Sequence, residues 1–329
     1  MLPSRLSDNL CSLRAKVPRL AMTVSMEIEN DCTIGNVAAF ESIIEVQENL
    51  SYEDVLDNPK FQNMMDLAEE LRRNEIRLNL NSAELRPRVH EDEITVNVKW
   101  PNKATEMIET FMVATNNSIG ILLGEKNAPL PWRCHAPPDA PEVEELNAKF
   151  KNMEIDIELP MPSVKKFGQS EEAELASMLG DWANSGNIEI SGLENSNDQD
   201  DVAQYLKNVL DPDARKDILI SLKEAQQKAN DLKSATRRVV DHGLFYLLQR
   251  AIYSPENLGH FGLNLNAYVH FTSPIRRYAD LVVHRQLKSF LNEEEWVHSE
   301  EEMTKISEQC TANSQEAKSI EWELVANAF

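Results

Sequence analysis

The segment from His260 to Leu287 changes its hydrophobic period at one point, and this change constrains the fold more than any other feature. Apolar and polar residues alternate over 267–271, which is typical of a half-buried β-strand. From Ser273 to Leu291 the spacing becomes helical. Pro274 then falls at the first helical position, where its missing N–H is not needed. The sequence therefore predicts a short strand that leads directly into a helix.

The start of this predicted helix carries two adjacent cations. Thr272 or Ser273 can cap the helix, whose free N–H groups and positive dipole end would face beyond the strand. Arg276 and Arg277 are unfavourable in a first turn unless an anion offsets their charge. We expect Asp280, four residues after Arg276, to hold that guanidinium in place. The segment is either an anion-binding corner or an ordinary capped helix with surface arginines.

The charge of the whole chain argues against a general nucleic-acid binder, because the net charge is −22. Basic residues are nevertheless concentrated from Lys233 to Lys288, where eight basic side chains accompany three acidic ones. A basic island in an acidic protein suits a confined polyanion site, and chance clustering is the alternative.

The cysteines and the hydropathy pattern exclude several classes. The four cysteines are far apart and form no C-x-x-C pair, so neither a zinc site nor a disulfide framework is predicted. Reduced thiols favour a cytoplasmic location. No run of about 18 apolar residues is present, so we expect no membrane-spanning segment.

Periodicity along the chain predicts an α+β fold, a mixed antiparallel sheet with many helices, over residues 1–329 without a dividing linker. Strands are predicted as a hairpin within 18–48 and at 93–99, 129–135 and 267–271. Helices are predicted at 6–13, from Ser51, from Asp57 to Asn74, and over 103–123, 141–153, 170–232 (interrupted), 233–252, 273–291 and 300–329.

One run, YVHFTSPIRRYADL at residues 268–281, is long and nearly unbroken. Four further segments follow a consistent order: MLPSRLSDNLCSL at 1–13, LSYEDV at 50–55, MIETFMVATN at 107–116 and WRCHAP at 132–137. Together they resemble the signatures of the ribonuclease II/ribonuclease R family of RNB-type exoribonucleases. The resemblance covers essentially the whole chain.

This resemblance implies an RNB-type catalytic domain that hydrolyses single-stranded RNA processively, 3′→5′, to nucleoside 5′-monophosphates. It also implies a two-metal Mg²⁺ site that clamps the scissile phosphate. Arg276 matches the family arginine that contacts this phosphate and stabilises developing negative charge. Glu321 resembles a late glutamate near the active site, so these two residues are the expected catalytic pair. The expected RNA-binding residues are Tyr268, His270, Thr272, Ser273, Pro274 and Arg277.

The chain departs from the family pattern in two places. The acidic Asp-x-Asp-Asp cluster of the family lies before the MLP stretch, where this sequence begins, so no metal-binding residue is expected here. Asp198 to Asp201 has a similar spelling, but we interpret it as a solvated acidic loop. Leu80 replaces an aromatic residue that stacks on RNA in some members. We therefore expect an N-terminally truncated catalytic domain without cold-shock or S1 modules.

Two alternatives to an exoribonuclease fragment stay open. The chain could be a non-catalytic RNA-binding or scaffold relative that keeps the Arg276–Arg277 corner. It could also be one half of a split enzyme whose aspartates come from an upstream polypeptide. The fragment and the split enzyme both predict exposed apolar surface.

Overall fold

The structure is a computed structural model that describes residues 3–75, 84–90, 93–138, 140–160, 212–248 and 250–328. The helices are α1 (Tyr52–Leu56), α2 (Gln62–Asn74), α3 (Lys103–Gly124), α4 (Ala140–Asn152), α5 (Pro212–Asn230), α6 (Ser234–Leu247), α7 (Tyr278–Leu291) and α8 (Glu300–Asn327). The strands are β1 (Pro18–Ile28), β2 (Ile34–Glu45), β3 (Glu84–His90), β4 (Glu93–Lys99), β5 (Trp132–Cys134) and β6 (Ile252–Ser254). A π-helical turn covers Leu6–Leu10, and short 3₁₀ turns cover Pro59–Phe61 and Phe261–Leu263.

The strands described form three two-stranded antiparallel sheets, β1–β2, β3–β4 and β5–β6, which confirms the predicted α+β class. The β1–β2 hairpin lies within residues 18–48, where alternation predicted it. Met22, Val24 and Ala39 of this hairpin pack on the core. Elsewhere in the hairpin, Leu20 and Ile43 are paired across the strands but are 84% and 72% exposed.

Local capping signals are confirmed in the first half of the chain. Ser51 and Asp54 form a capping box at the start of α1. Asn58 caps the 3₁₀ turn that leads into α2. Helix α3 begins at a second capping box, formed by Asn102 and Thr105. Helices α2 and α3 then pack together through a small apolar cluster that contains Met65, Ala68 and Met107.

Two larger apolar clusters support the region of interest. The first joins α4, α5, α6 and Phe261. The second joins the end of α3, β5, residues 267–271 and α7. Residues 260–271 contribute side chains to both clusters, so tertiary packing holds their backbone at each end.

Four predicted elements differ from the structure. The helix predicted at 6–13 is a π-helical turn that covers only Leu6–Leu10. The predicted helix over 233–252 ends at Leu247, because the chain then forms β6 and pairs with β5. The predicted strand over 267–271 is reduced to a single bridge between Val269 and Trp132. The helix expected from Ser273 begins only at Tyr278. Of the helical region predicted at 170–232, the structure describes 212–232, and Leu80 and residues 198–201 also lie outside the described residues.

Across the part of the chain that the structure describes, no helix combines the length and the apolar character needed to cross a membrane.

Candidate functional site

A small sheet face forms the floor of the candidate site. Arg133 of β5 is paired with Tyr253 of β6, and its backbone N–H donates to the carbonyl oxygen of Tyr268 at 2.8 Å. Because side chains alternate along extended backbone, neighbours on β5 and in residues 267–271 point to opposite sides. The opposite side carries Arg133, Tyr253, Tyr268 and His270, which we call the polar face. The residues that alternate with them and enter the core are Trp132, Cys134, Ala267, Val269 and Phe271.

The side chains of the polar face contact one another directly. The Arg133 guanidinium lies over the Tyr253 ring, 4.7 Å from its centroid. The Tyr253 hydroxyl and His270 Nδ1 are joined by a hydrogen bond of 2.7 Å. The rings of Tyr268 and His270 meet edge to face with centroids 5.8 Å apart. These contacts fix the four side chains relative to one another.

Two further histidines extend this array. The rings of His135 and His260 are stacked with centroids 5.0 Å apart, and His260 meets the edge of Tyr268 at 5.2 Å. His135 Nδ1 accepts a hydrogen bond from the backbone N–H of Gly262 at 3.0 Å. The imidazoles therefore connect the polar face to the 3₁₀ turn after His260.

Burial and nearby cations keep His270 of the polar face neutral. Burial lowers the pKa of His270 to about 2, and the cations of Arg277, Arg133 and Arg276 act in the same direction. Burial raises the pKa of Tyr253 to about 12. At neutral pH the Tyr253–His270 pair is therefore uncharged, and the positive charge of the site belongs to arginines.

The turn over residues 273–277, which we call the arginine turn, connects the polar face to α7. The backbone N–H groups of Arg276 and Arg277 both donate to the Ser273 carbonyl oxygen, at 3.2 and 3.1 Å. Asp280 Oδ1 accepts from the Ser273 N–H at 2.6 Å, so this carboxylate, and not a Thr272 or Ser273 side chain, organises the segment. The turn therefore occupies residues that the sequence assigned to the first turn of the helix.

The predicted pairing of Asp280 with Arg276 is wrong, because Asp280 binds Arg277. Arg277 Nε and Nη2 donate to the two carboxylate oxygens at 2.8 Å each, a bidentate pair. Asp280 is fully buried. Arg276 is exposed, and its guanidinium makes no hydrogen bond or ion pair within the described ranges. One arginine of the turn is thus neutralised and fixed, and the other is available to an anion.

Sequence analysis did not identify Asn116, which positions this whole segment from α3. Its Oδ1 accepts from the N–H groups of Phe271 and Thr272, at 3.0 and 3.2 Å. Its Nδ2 donates to the Tyr268 hydroxyl at 3.1 Å. Asn116 thereby binds the backbone at the end of the predicted strand, where the chain enters the arginine turn. The helix also contains Asn117, Glu106 and Glu109, so no sequence signal distinguished Asn116.

Glu321 lies away from the polar face along α8. Thr311 on the same helix accepts a hydrogen bond from the Tyr253 N–H at 2.8 Å. Glu321 follows ten residues later, which corresponds to about 15 Å of helix. There it pairs with Lys318 at 2.9 Å and lines an open groove with Arg86 and Arg88. The structure thus brings together all the sequence-predicted site residues except Glu321.

The basic island does not form one continuous patch. Arg237 on α6 pairs with Asp241, and Lys288 on α7 pairs with Glu41. Arg276 and Arg277 of the island lie at the candidate site, where Arg133 from outside the island joins them.

The described residues do not fit a divalent metal. They contain no group of three or more His, Cys, Asp or Glu side chains that could hold an ion. At the arginine turn, the Asp280 carboxylate is already occupied by Arg277 and the Ser273 N–H.

Comparison with known proteins gives consistent matches. The model of the RNB domain family matches residues 1–293. Ribonuclease R of Thermotoga maritima is 28% identical over 99% of this chain and 42% of that protein, and Ribonuclease R of Aquifex aeolicus is 28% identical over 90% and 37%. The chain thus spans about 40% of the length of these curated relatives.

Solved structures share the fold. The structure of Mycoplasma genitalium RNase R in complex with ribose-methylated single-stranded RNA has a TM-score of 0.71, with 21% identity over 99% of this chain and 46% of that chain. The structure of yeast Ssd1, described as a pseudonuclease, has a TM-score of 0.54, with 20% identity over 94% of this chain and 33% of that chain.

Proposed function

The chain belongs to the RNB domain family, and from this we propose that it supplies the RNA-phosphate-binding surface of a 3′→5′ exoribonuclease. The substrate is single-stranded RNA and the products are nucleoside 5′-monophosphates. The observation that carries this proposal is the arginine turn, in which Asp280 fixes Arg277 while the Arg276 side chain stays exposed and unpaired in the described chain. The relative from Mycoplasma genitalium, whose structure was determined with single-stranded RNA, supports the same ligand class.

Arg276 is suited to contact a phosphate because its backbone is held on both sides. Asn116 binds the N–H groups just before the turn, and Asp280 binds the Ser273 N–H within it. A guanidinium on a fixed backbone needs little rearrangement when negative charge develops on phosphate oxygens during hydrolysis. We therefore propose that Arg276 contacts the scissile phosphate.

The polar face and the turn would guide the RNA towards this arginine. Tyr268 is buried and His270 is partly exposed, so His270 is the ring of this pair that RNA can contact more directly. The residues between His270 and Arg277 carry the backbone into the turn. Aromatic and imidazole rings suit contacts with bases, and the arginines suit contacts with the RNA backbone. The residues of this connection are Thr272, Ser273 and Pro274.

Glu321 is a separate proposal as a catalytic residue. Its carboxylate pairs with Lys318 in the groove beside β3, and not with a residue of the polar face. A catalytic role for Glu321 therefore requires that RNA or a further part of the enzyme extend to this groove.

Mg²⁺ is proposed for the complete enzyme by the family resemblance. The described residues do not provide its ligands. Hydrolysis therefore requires carboxylates from residues outside the described ranges or from another polypeptide. A cytoplasmic location is proposed from the dispersed, unpaired cysteines.

A gel assay tests the proposal directly. A 5′-labelled single-stranded RNA is incubated with the full chain and Mg²⁺, beside an Arg276→Ala variant and an Arg14→Ala control at an exposed position. Shortening from the 3′ end that is lost only in Arg276→Ala supports the exoribonuclease. Intact RNA that is also not retained in a native gel contradicts both RNA binding and hydrolysis.

A second candidate is a non-catalytic RNA-binding relative. The observation that favours it is the absence, among the described residues, of a group that could hold a metal. The fold also occurs in yeast Ssd1, described as a pseudonuclease. RNA that is retained through Arg276 but never shortened, with either Mg²⁺ or Mn²⁺, would favour this candidate over the first.

A further inference from the structure

Arg133 has a buried positive charge without a counter-ion. Its Nη1 atom is shielded from solvent and has no hydrogen-bond partner. Within the described part of the chain it also forms no ion pair, and its guanidinium is in contact with the Tyr253 ring. Buried charges in proteins are normally paired, because removing an ion from water is costly. The cation–π contact offsets only part of this cost.

The surroundings of Arg133 do not supply the missing negative charge. Its electrostatic neighbours are Tyr253, Arg277, Tyr268 and Cys134. Burial raises the pKa of both Tyr253 and Cys134 to about 12, so neither is an anion at neutral pH. Arg277 is a second cation. Burial lowers the pKa of Arg133, with Arg277 adding to the effect, as expected for a cation that lacks a carboxylate partner.

A second unpaired polar atom lies close by. His260 Nδ1 is shielded from solvent and has no hydrogen-bond partner. Arg133 is among the charges that lower the pKa of His260, after burial and His135, which places the two side chains in the same electrostatic environment. Unsatisfied buried polar groups are rare in native proteins, and each calls for an explanation such as a water or an ion. Two of them beside a polar face that also contains Tyr268 and His270 indicate a ligand position.

We propose that Arg133 binds an oxyanion, and that this oxyanion is a phosphate group of RNA bound against the polar face. The planar guanidinium can donate two parallel hydrogen bonds to phosphate oxygens, as it does to a carboxylate elsewhere in proteins. The phosphate would lie between Arg133 and Arg277 and supply the counter-ion that Arg133 lacks among the described residues. The identity of the oxyanion as RNA phosphate rests on the proposed function, whereas the existence of the anion site does not.

Sequence analysis did not select Arg133 as a functional residue. It lies outside the basic island, in a three-residue strand that is distant in sequence from both tyrosines of the polar face. Only the pairing of β5 with β6 and with Tyr268 brings Arg133 to the polar face.

Thermal unfolding with inorganic phosphate tests the anion site. Four forms of the full chain are compared: wild type, Arg133→Met, Arg133→Lys and an Arg14→Met control at an exposed position. Each is titrated with phosphate and with sodium chloride at matched ionic strength. The proposal expects a dose-dependent rise in Tm with phosphate in wild type and the control, a smaller rise in Arg133→Lys and the smallest in Arg133→Met, where Arg276 is still available to an anion. Methionine keeps much of the aliphatic length, and lysine keeps the charge if methionine impairs folding.

Two results would overturn the inference. The first is an equal phosphate-dependent rise in wild type and in the Arg133 variants. The second is a wild-type Tm that responds to phosphate no more than to chloride, which would leave Arg133 with a water or with Tyr253 as its only partner.

The same variants separate this inference from the proposed function. If RNA shortening or retention depends on Arg276 but the phosphate-dependent rise in Tm is the same with and without Arg133, the inference is wrong and the proposed function still holds. If the phosphate-dependent rise in Tm requires Arg133 but the chain neither binds nor shortens RNA, the anion site is supported and the proposed function is wrong.

Discussion

Replacing Asp280 with asparagine removes the charge that organises the arginine turn. Asp280 is fully buried and accepts three hydrogen bonds, one from the Ser273 N–H at 2.6 Å and two from Arg277 at 2.8 Å each. Asparagine keeps the shape but offers one acceptor oxygen, and its NH₂ group faces donors. Breaking a buried ion pair by removing one partner costs about 3–5 kcal/mol. The Arg277 side chain is 24% exposed and can be partly rehydrated, so we expect the lower end, about 3 kcal/mol.

Urea unfolding measures this change, with Asp241→Asn as the matched control. Asp241 pairs with Arg237 at 3.5 Å, and both side chains are substantially exposed. Its loss should cost about 0–1 kcal/mol. Binding of single-stranded RNA should also weaken in Asp280→Asn, because Arg276 loses the support of a fixed turn. A free energy of unfolding within about 0.5 kcal/mol of wild type, with RNA affinity unchanged, would refute this account of the turn.

Three further predictions address the supporting structure. Asn116→Leu leaves two backbone N–H groups and one hydroxyl without their partner, so it should cost about 1–3 kcal/mol per unsatisfied group in urea unfolding and weaken RNA binding. The depressed pKa of His270 makes its protonation favour the unfolded state. The free energy of unfolding is therefore highest above about pH 6.5 and falls as the pH is lowered towards 2, with a loss of about 2 kcal/mol at pH 5. Urea unfolding at pH 7 and pH 5 should show a smaller loss in His270→Gln. Gly124→Ala would place a methyl carbon 2.9 Å from the Trp132 ring and should cost about 1–3 kcal/mol, whereas Gly120→Ala meets only ordinary contacts at 3.5 Å and should be nearly neutral in the same assay.

Local signals predicted much of the fold. The Ser51–Asp54 capping box and the alternation within 18–48 depend on neighbours in sequence, and both are confirmed. The arginine turn could not be predicted in this way. Its geometry depends on the Asp280 carboxylate and on Asn116, which is 155 residues from Phe271 in sequence. The helical spacing and Pro274 favoured a helix from Ser273, but the helix begins only at Tyr278.

The same limit applies to the polar face. Alternation over 267–271 predicted a half-buried strand, and the structure places Ala267, Val269 and Phe271 of this segment in the core. Alternation could not show that Arg133 and Tyr253 lie on the polar face, because strand pairing between distant three-residue segments leaves no periodic signal. The predicted helix over 233–252 also ran up to the start of β6 and concealed the strand that carries Tyr253.

The central claim is that the arginine turn binds the phosphate backbone of single-stranded RNA, and its salt dependence is the most direct test. Fluorescence polarisation of a labelled single-stranded RNA is measured with wild type and Arg276→Ala over a series of salt concentrations. The account predicts that binding weakens linearly on logarithmic axes, and that the slope is smaller by about 0.7 in the variant. Identical slopes and affinities in the two proteins would contradict the claim.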